Sequence, residues 1–316
     1  MRFPSRSALL LAVCFGFGAE ASAQYRYDTW TTDNGLPQNG VRQIAQTPDG
    51  YLWFTTFDGL VRFDGVRFTT FGTGNTRGII NNRFTGLYGD TDGTLYATTM
   101  EDGVLTVYRD GVFTSYTSQQ VPGHYIQRIQ PDAKGELLFQ TEDEDRTSKS
   151  WYYLRNGAFV FSHKDAPPAV LTITAKSGST WRITTTEAIE RRGAETIVYK
   201  LDIGRITYNL NWFEDSAGHI WLGEYAVHRL GGGLVRRYGD GDGLVRSIHH
   251  SFWEDPDGSV WFASGGGSTE GVGLVRHQDG EFQVFGTESG LLSSFVYAVF
   301  HDREGTTWLA TNKGLA

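Results

Sequence analysis

One phrase recurs seven times along this chain and limits what it can become. A glycine in a tight turn is followed three residues later by a large aromatic or apolar residue. It reads Asp49-Gly50-Tyr51-Leu52-Trp53, Asp92-Gly93-Thr94-Leu95-Tyr96, Lys134-Gly135-Glu136-Leu137-Leu138 and Ser177-Gly178-Ser179-Thr180-Trp181. It continues as Ala217-Gly218-His219-Ile220-Trp221, Asp257-Gly258-Ser259-Val260-Trp261 and Glu304-Gly305-Thr306-Thr307-Trp308. The anchors at 53, 96, 138, 181, 221, 261 and 308 stand roughly 40–47 residues apart, the period of a repeat array whose units cannot bury their own apolar faces.

Six of the units carry a second turn: Asp64-Gly65, Asp110-Gly111, Asn156-Gly157, Arg192-Gly193, Gly231-Gly232-Gly233 and Asp279-Gly280. Asn-Gly and Asp-Gly favour two-residue hairpins because both central residues tolerate positive φ. Alternating segments such as Val61-Arg62-Phe63 and Val66-Arg67-Phe68 flank them as strands. Each unit therefore reads as four strands, exemplified by 41–46 (A, inner), 52–56 (B), 60–63 (C) and 67–70 (D, outer). Four-stranded units of this length are propeller blades. The sequence predicts an all-β, seven-bladed β-propeller over 24–316, with Trp53, Trp181, Trp221, Trp261 and Trp308 filling the gaps between blades.

The ends predict ring closure. Arg26 to Thr31, before Asn34-Gly35-Leu36, matches the outer strands that precede Asp242-Gly243-Leu244 and Ser289-Gly290-Leu291. It is a strand D with no strand C ahead of it. At the other end 295–300 and 307–310 read as strands A and B. Gly314-Leu315-Ala316 repeats the opening of strand C seen at Gly59-Leu60-Val61. The seventh blade is thus expected from both ends, closed by the N-terminal strand and with an incomplete strand C.

Ahead of the repeats, Arg2 and Arg6, an apolar run over 8–18 and Ala21-Ser22-Ala23 have the order of a secretory signal peptide cleaved after Ala23. The single cysteine, Cys14, lies inside it, so 24–316 holds no disulfide and no thiolate site. No later stretch is apolar for long enough to span a membrane. With 28 Lys+Arg against 36 Asp+Glu, the chain has a formal net charge of −8, which argues against nucleic acid as a partner.

The run Asp33-Asn34-Gly35-Leu36-Pro37-Gln38-Asn39, then Asp49 to Thr55, then Gly59 to Gly65, resembles the bacterial two-component regulator propeller repeat. The resemblance extends over 26–316, is strongest in units one, six and seven, and is most degenerate in three and four. It implies the extracytoplasmic sensor region of a membrane-bound histidine kinase or diguanylate cyclase. This chain would be its first propeller, with further domains of the same receptor, and a homodimer of that receptor, as partners. It implies no catalytic motif and no cofactor.

Among chemistry-bearing residues, the Asp-Gly pairs at 90–93 and 240–243 are read as turns rather than calcium loops, which need a denser set of oxygen ligands. His249 and His250 are adjacent, so on a strand they face opposite ways and cannot share one ion. Glu224 and His228 would have to converge on them, and no metal site is expected. Repeats of this kind also occur in propellers similar to streptogramin lyase. That makes a secreted lyase or hydrolase, using His249 with Glu224 or Asp242, the enzymatic alternative. The acidic stretch 142–145 is read as a solvated loop. The D–A and B–C loops share one face, where Asn39, Phe57, Asn82, Arg83, Tyr125, Tyr208, Tyr225 and His249 are the candidate ligand-binding residues. Aromatic faces beside amides and guanidiniums suit a small polar ligand such as an oligosaccharide.

Overall fold

The structure, a computed structural model, describes residues 27–99, 101–132, 134–143, 148–165, 171–204, 210–266 and 269–316. The signal segment 1–23 therefore lies outside the described residues. The first sheet comprises β1 (Ile44–Gln46), β2 (Leu52–Thr56), β3 (Gly59–Phe63) and β4 (Phe68–Phe71). The second has β5 (Phe84–Gly89), β6 (Leu95–Thr99), β7 (Leu105–Arg109) and β8 (Val112–Tyr116). The third has β9 (Ile126–Pro131), β10 (Leu137–Glu142), β11 (Lys149–Arg155) and β12 (Ala158–Lys164). The fourth has β13 (Leu171–Thr174), β14 (Thr180–Ile183), β15 (Glu187–Arg192) and β16 (Glu195–Lys200). The fifth has β17 (Asn211–Glu214), β18 (Ile220–Gly223), β19 (Val227–Gly231) and β20 (Leu234–Tyr238). The sixth has β21 (His249–Glu254), β22 (Val260–Gly266), β23 (Thr269–Gln278) and β24 (Glu281–Phe285), and β25 (Val296–His301) and β26 (Thr307–Thr311) follow.

Each of the first six sheets is an antiparallel meander in chain order, but β25 and β26 form a sheet of two. This corrects the expectation of seven four-stranded blades: six are complete. At the two-stranded unit, Leu315 makes isolated bridges to Ala310 on one side and Trp30 on the other. The expected strands C and D are thus single bridges and not strands. The local physics is nevertheless that of the first sheet. At Gly59, φ is +133° and a Cβ would lie 2.4 Å from the Phe71 carbonyl oxygen. At Gly314, φ is +146° and the same Cβ would lie 2.4 Å from the Trp30 oxygen. Only glycine lets the chain cross so close to its neighbour at positive φ.

Closure is reinforced between the last sheet and the first. Val41 N–H donates to the Thr311 oxygen at 3.0 Å. Arg303 N–H donates to Gln46 Oε1 at 3.0 Å, and Gln46 Nε2 donates to Glu304 Oε2 at 2.8 Å.

All five repeat-anchor tryptophans are buried. Each packs onto the next sheet round the ring. Trp53 joins Phe84 and Phe113 of the second sheet, and Trp181 joins Ile220 and Leu230 of the fifth. Trp221 joins Val260 and Phe262 of the sixth, Trp261 joins Leu309 beyond it, and Trp308 returns to Phe63 of the first. Tyr96 packs with Phe139 between sheets two and three. The third anchor is Leu138, and among the described residues none of the six buried clusters joins sheet three to sheet four. Most of the indole N–H groups are satisfied inside the repeat turn itself. Trp221 Nε1 donates to Asp215 Oδ2 at 2.8 Å, Trp308 Nε1 to Asp302 Oδ2 at 2.7 Å and Trp181 Nε1 to Ser179 Oγ at 3.1 Å.

Trp221→Ala should lower stability by about 3–5 kcal/mol, the cost of emptying a large buried site. Trp221→Phe, which keeps most of the ring surface and loses the bond to Asp215, should cost roughly 1–2 kcal/mol. Thermal unfolding followed by circular dichroism separates the two. Equal losses would place the stabilisation in the hydrogen bond and not in the packing.

Candidate functional site

The inner strands present their polar residues through a repeated irregularity. In the second sheet Phe84 pairs with Thr99 and Gly86 with Thr98, leaving Thr85 as an extra residue. In the third, Ile126 pairs with Thr141 and Arg128 with Gln140, leaving Gln127. In the last, Val296 pairs with Thr311 and Ala298 with Ala310, leaving Tyr297. A β-bulge of this kind bends the strand and re-aims a side chain. The residue before each bulge is a buried core residue, and in the first sheet Arg42 follows buried Val41 in the same way.

On the face of the β2–β3 turn, Arg42, Phe57, Arg83 and Tyr297 come together. The Arg42 guanidinium lies 4.6 Å from the Phe57 ring centre and 4.2 Å from that of Tyr297. Arg83 lies 4.3 Å from the same Phe57 ring. Such contacts are worth about 0.5–2 kcal/mol each, more as water is excluded. Gln38 Oε1 fixes the turn by accepting from Phe57 N–H at 2.9 Å. Glu101 pairs with Arg83, with Nε–Oε2 at 2.9 Å and Nη2–Oε1 at 3.0 Å. Among the described residues Arg42 has no such counter-charge, and its Nε is shielded from solvent without an acceptor. With Gln43, Thr85 and Glu101 these residues line a cavity of about 320 Å³.

Of the sequence candidates, the structure joins Phe57 and Arg83 here. Asn39 and Asn82 instead brace their own loops, their Oδ1 atoms accepting from Thr32 and Thr73 N–H at 2.8 Å. Tyr125 accepts from Gln127 Nε2 at 3.3 Å, beside a second cavity. Tyr225 is half-buried under Arg246, 5.5 Å from its ring centre. Tyr208 lies outside the described residues. Arg42, Tyr297 and Glu101 were missed. The readable signal for the first two was a polar or aromatic residue directly after the buried residue that opens an inner strand.

His249 is 0% exposed, its ring packed edge-on to Phe262 at 5.2 Å. Burial, with His250 adding to it, pushes its pKa down to about 3. The link to Glu224 is a backbone one, His249 N–H to the Glu224 oxygen at 3.0 Å. Asp242 is engaged elsewhere, accepting from Gly239 N–H at 3.0 Å. His228 is equally buried, and desolvation takes it down to about 4. A sealed, neutral imidazole is a core residue, out of reach of a substrate proton.

Among the described residues no three His, Cys, Asp or Glu side chains form a group that could hold a metal ion. The aspartates of the Asp-Gly turns accept turn amides. Asp92 accepts from Thr94 N–H at 2.9 Å and Asp257 from Ser259 N–H at 2.9 Å, and both also bind arginine. In the acidic stretch, Asp143 pairs with Lys164 at 2.7 Å, while Glu144 and Asp145 lie outside the described residues. No helix among the described residues is long and apolar enough to cross a membrane.

Residues 35–58 match the family model described as "Two component regulator propeller". That stretch carries one two-component regulator propeller repeat. No curated protein matches it. Among solved structures, the extracellular domain of a putative hybrid two-component system from B. thetaiotaomicron is 18% identical, with a TM-score of 0.68 over 91% of this chain and 41% of that one. A second such domain from the same organism is 17% identical, with a TM-score of 0.64 over 91% of this chain and 39% of that one. This chain thus spans about two fifths of their length. Virginiamycin B lyase from Staphylococcus aureus is 13% identical, with a TM-score of 0.62 over 89% of this chain and 95% of that one. At these identities the likeness is one of fold.

Buried His228 and His249 give stability a definite pH dependence. In the unfolded chain they take up protons below about pH 6.5. Folded, they stay neutral until about pH 4 and 3. The unfolded state therefore binds more protons across that interval, and stability falls as pH falls from 6.5. At pH 5 each should cost about 2 kcal/mol relative to pH 7.5. His249→Phe should flatten the melting-temperature profile between pH 7.5 and 5. An unchanged slope would show that His249 does not carry it.

Proposed function

We propose that this chain is the extracytoplasmic, ligand-sensing propeller of a two-component-type receptor. It is exported by the segment at 1–23 and binds a small polar ligand, such as an oligosaccharide, on the face that holds Phe57 and Arg83. It performs no catalysis itself. Further domains of the same receptor, paired as a homodimer, turn occupancy into output through a kinase or a cyclase. The observation that carries the reading is the Arg42–Phe57–Tyr297–Arg83 cluster, two guanidiniums and two rings around a cavity of about 320 Å³, on a chain bearing the two-component regulator repeat. Rings supply flat apolar faces for a sugar or peptide plane, and guanidiniums and the Gln43 amide supply directional donors. The fold likeness to a lyase offers an enzymatic alternative, but its base, His249, is sealed in the core.

A ligand present at about 100 times its Kd stabilises the folded state by about 2.7 kcal/mol. In a chain of this size that is roughly 4–5 °C in Tm. Thermal shift of the secreted propeller against a panel of neutral mono- and disaccharides and short polar peptides should find such a compound. Phe57→Ala combined with Arg83→Ala should erase the shift without lowering the unliganded Tm by more than a few degrees. A panel-wide absence of shifts, or a shift indifferent to both substitutions, would remove this site from the sensor.

A further inference from the structure

Donors outnumber acceptors among the open atoms of the Phe57–Arg83 cavity. Three neighbouring sheets supply them. Arg42 and Gln43 precede β1, Arg83 precedes β5, and the bulge in β25 brings Tyr297 to the same lining. Among the described residues, no group hydrogen-bonds Arg42 Nη1 or Nη2, the Gln43 amide or the Tyr297 hydroxyl, and all of these atoms keep accessible surface. Of the three Arg42 guanidinium nitrogens only Nε is shut off from solvent, so the Nη1–Nη2 end is the part that reaches open space. Arg83 spends Nε and Nη2 on Glu101, at 2.9 and 3.0 Å, and keeps Nη1.

Charge gives these donors a sign. Glu101 is the one carboxylate among the described lining residues, and both its oxygens are engaged with Arg83. Two guanidiniums against one carboxylate leave a net positive cavity on a chain of net charge −8. Both guanidiniums are held on one ring, that of Phe57, at 4.6 Å for Arg42 and 4.3 Å for Arg83. Like charges held so close repel, and an anion beside them relieves the repulsion. Arg42 also lies 4.2 Å from the Tyr297 ring centre, so its fork is oriented before a ligand arrives. Such a fork matches the two oxygens of a carboxylate with two parallel N–H bonds, whereas a hydroxyl offers it a single oxygen. A monoanion neutralises the excess charge, and a dianion such as phosphate brings surplus charge against Glu101.

We infer that the ligand of this cavity is a sugar acid. Its carboxylate pairs with the Nη1–Nη2 edge of Arg42, and its ring hydroxyls meet the Gln43 amide and the Tyr297 hydroxyl. This rests on the cavity being the sensor's saccharide site, as proposed above, and narrows that saccharide to an acidic one. At about 30 Å³ per water, the cavity of about 320 Å³ holds roughly ten waters, room for one such ring.

Isothermal titration of the folded, secreted propeller tests it. The probes are D-glucuronate and D-galacturonate, their neutral parents D-glucose and D-galactose, and inorganic phosphate. One of the two acids should bind at least about tenfold more tightly than its parent sugar and than phosphate. Arg42→Gln should erase that preference, bringing acid and parent to within about threefold of each other. Glu101→Gln removes the competing carboxylate and releases two Arg83 donors, and should tighten the acid by roughly threefold or more. A gain in affinity is not the signature of a damaged fold. A parent sugar that binds as tightly as its acid overturns the acid and leaves the saccharide sensor standing. Phosphate binding as tightly as the acid overturns it too, as does a preference that survives Arg42→Gln or an affinity that Glu101→Gln fails to raise. Silence from all four sugars removes the saccharide site itself, and the acid with it.

Discussion

The ring rests on a bond made inside each repeat turn. A short polar side chain at the start of the turn accepts a backbone N–H from the far side and, in several repeats, the indole N–H of the anchor tryptophan as well. Asp215 does both, taking His219 N–H at 2.8 Å and Trp221 Nε1 at 2.8 Å. Asp302 does the same for Thr306 and Trp308. An indole buried between sheets needs an acceptor, because an unmet N–H there costs about as much as the bond would give. By supplying it locally, the turn frees the whole ring surface of the tryptophan to be buried against the next sheet. The spacing from turn to anchor is therefore a packing rule, met most fully in the fifth and seventh copies.

That rule is why so much of the fold was legible. Glycine three residues before a large side chain marks the hairpin, the inner-edge strand and the residue that touches the neighbouring sheet. The count of complete sheets was harder to read. Gly314-Leu315 has the local chemistry of Gly59-Leu60, including the close approach to a facing carbonyl. Local chemistry does not by itself supply a strand, however, and Leu315 and Trp30 form single bridges. The loop face was legible only in part. Phe57 and Arg83 stand out as an aromatic and a cation in loops, whereas Asn39 and Asn82 look the same in sequence whether they bind a ligand or brace a turn. Arg42, Gln127, Arg128 and Tyr297 sit on inner strands, where a simple period-two pattern assigns alternate residues to opposite faces. The bulges break that period, and no signal short of the pairing register reveals them.

The histidines show how burial decides chemistry. His249 and Glu224 are neighbours, as an acid–base pair would require, but their contact is through the backbone and the imidazole is enclosed beside Phe262. Elsewhere the bulge residues Thr85, Gln127 and Tyr297 each line a cavity. Arg42, Gln43, Arg83, Gln127 and Arg128 line the two cavities, and Glu101 is the one carboxylate among their described lining residues.

The six buried clusters are unevenly shared among the joints of the ring. Among the described residues every joint but that of sheets three and four carries one. At the closing joint Trp30, Phe63 and Trp308 are packed within 6.0 Å of one another. The segment that bridges Leu315 at Trp30 then runs on into the first sheet, so the seam is clasped by two stretches of chain nearly three hundred residues apart as well as by adhesion. A ring closed in this way resists opening where its ends meet.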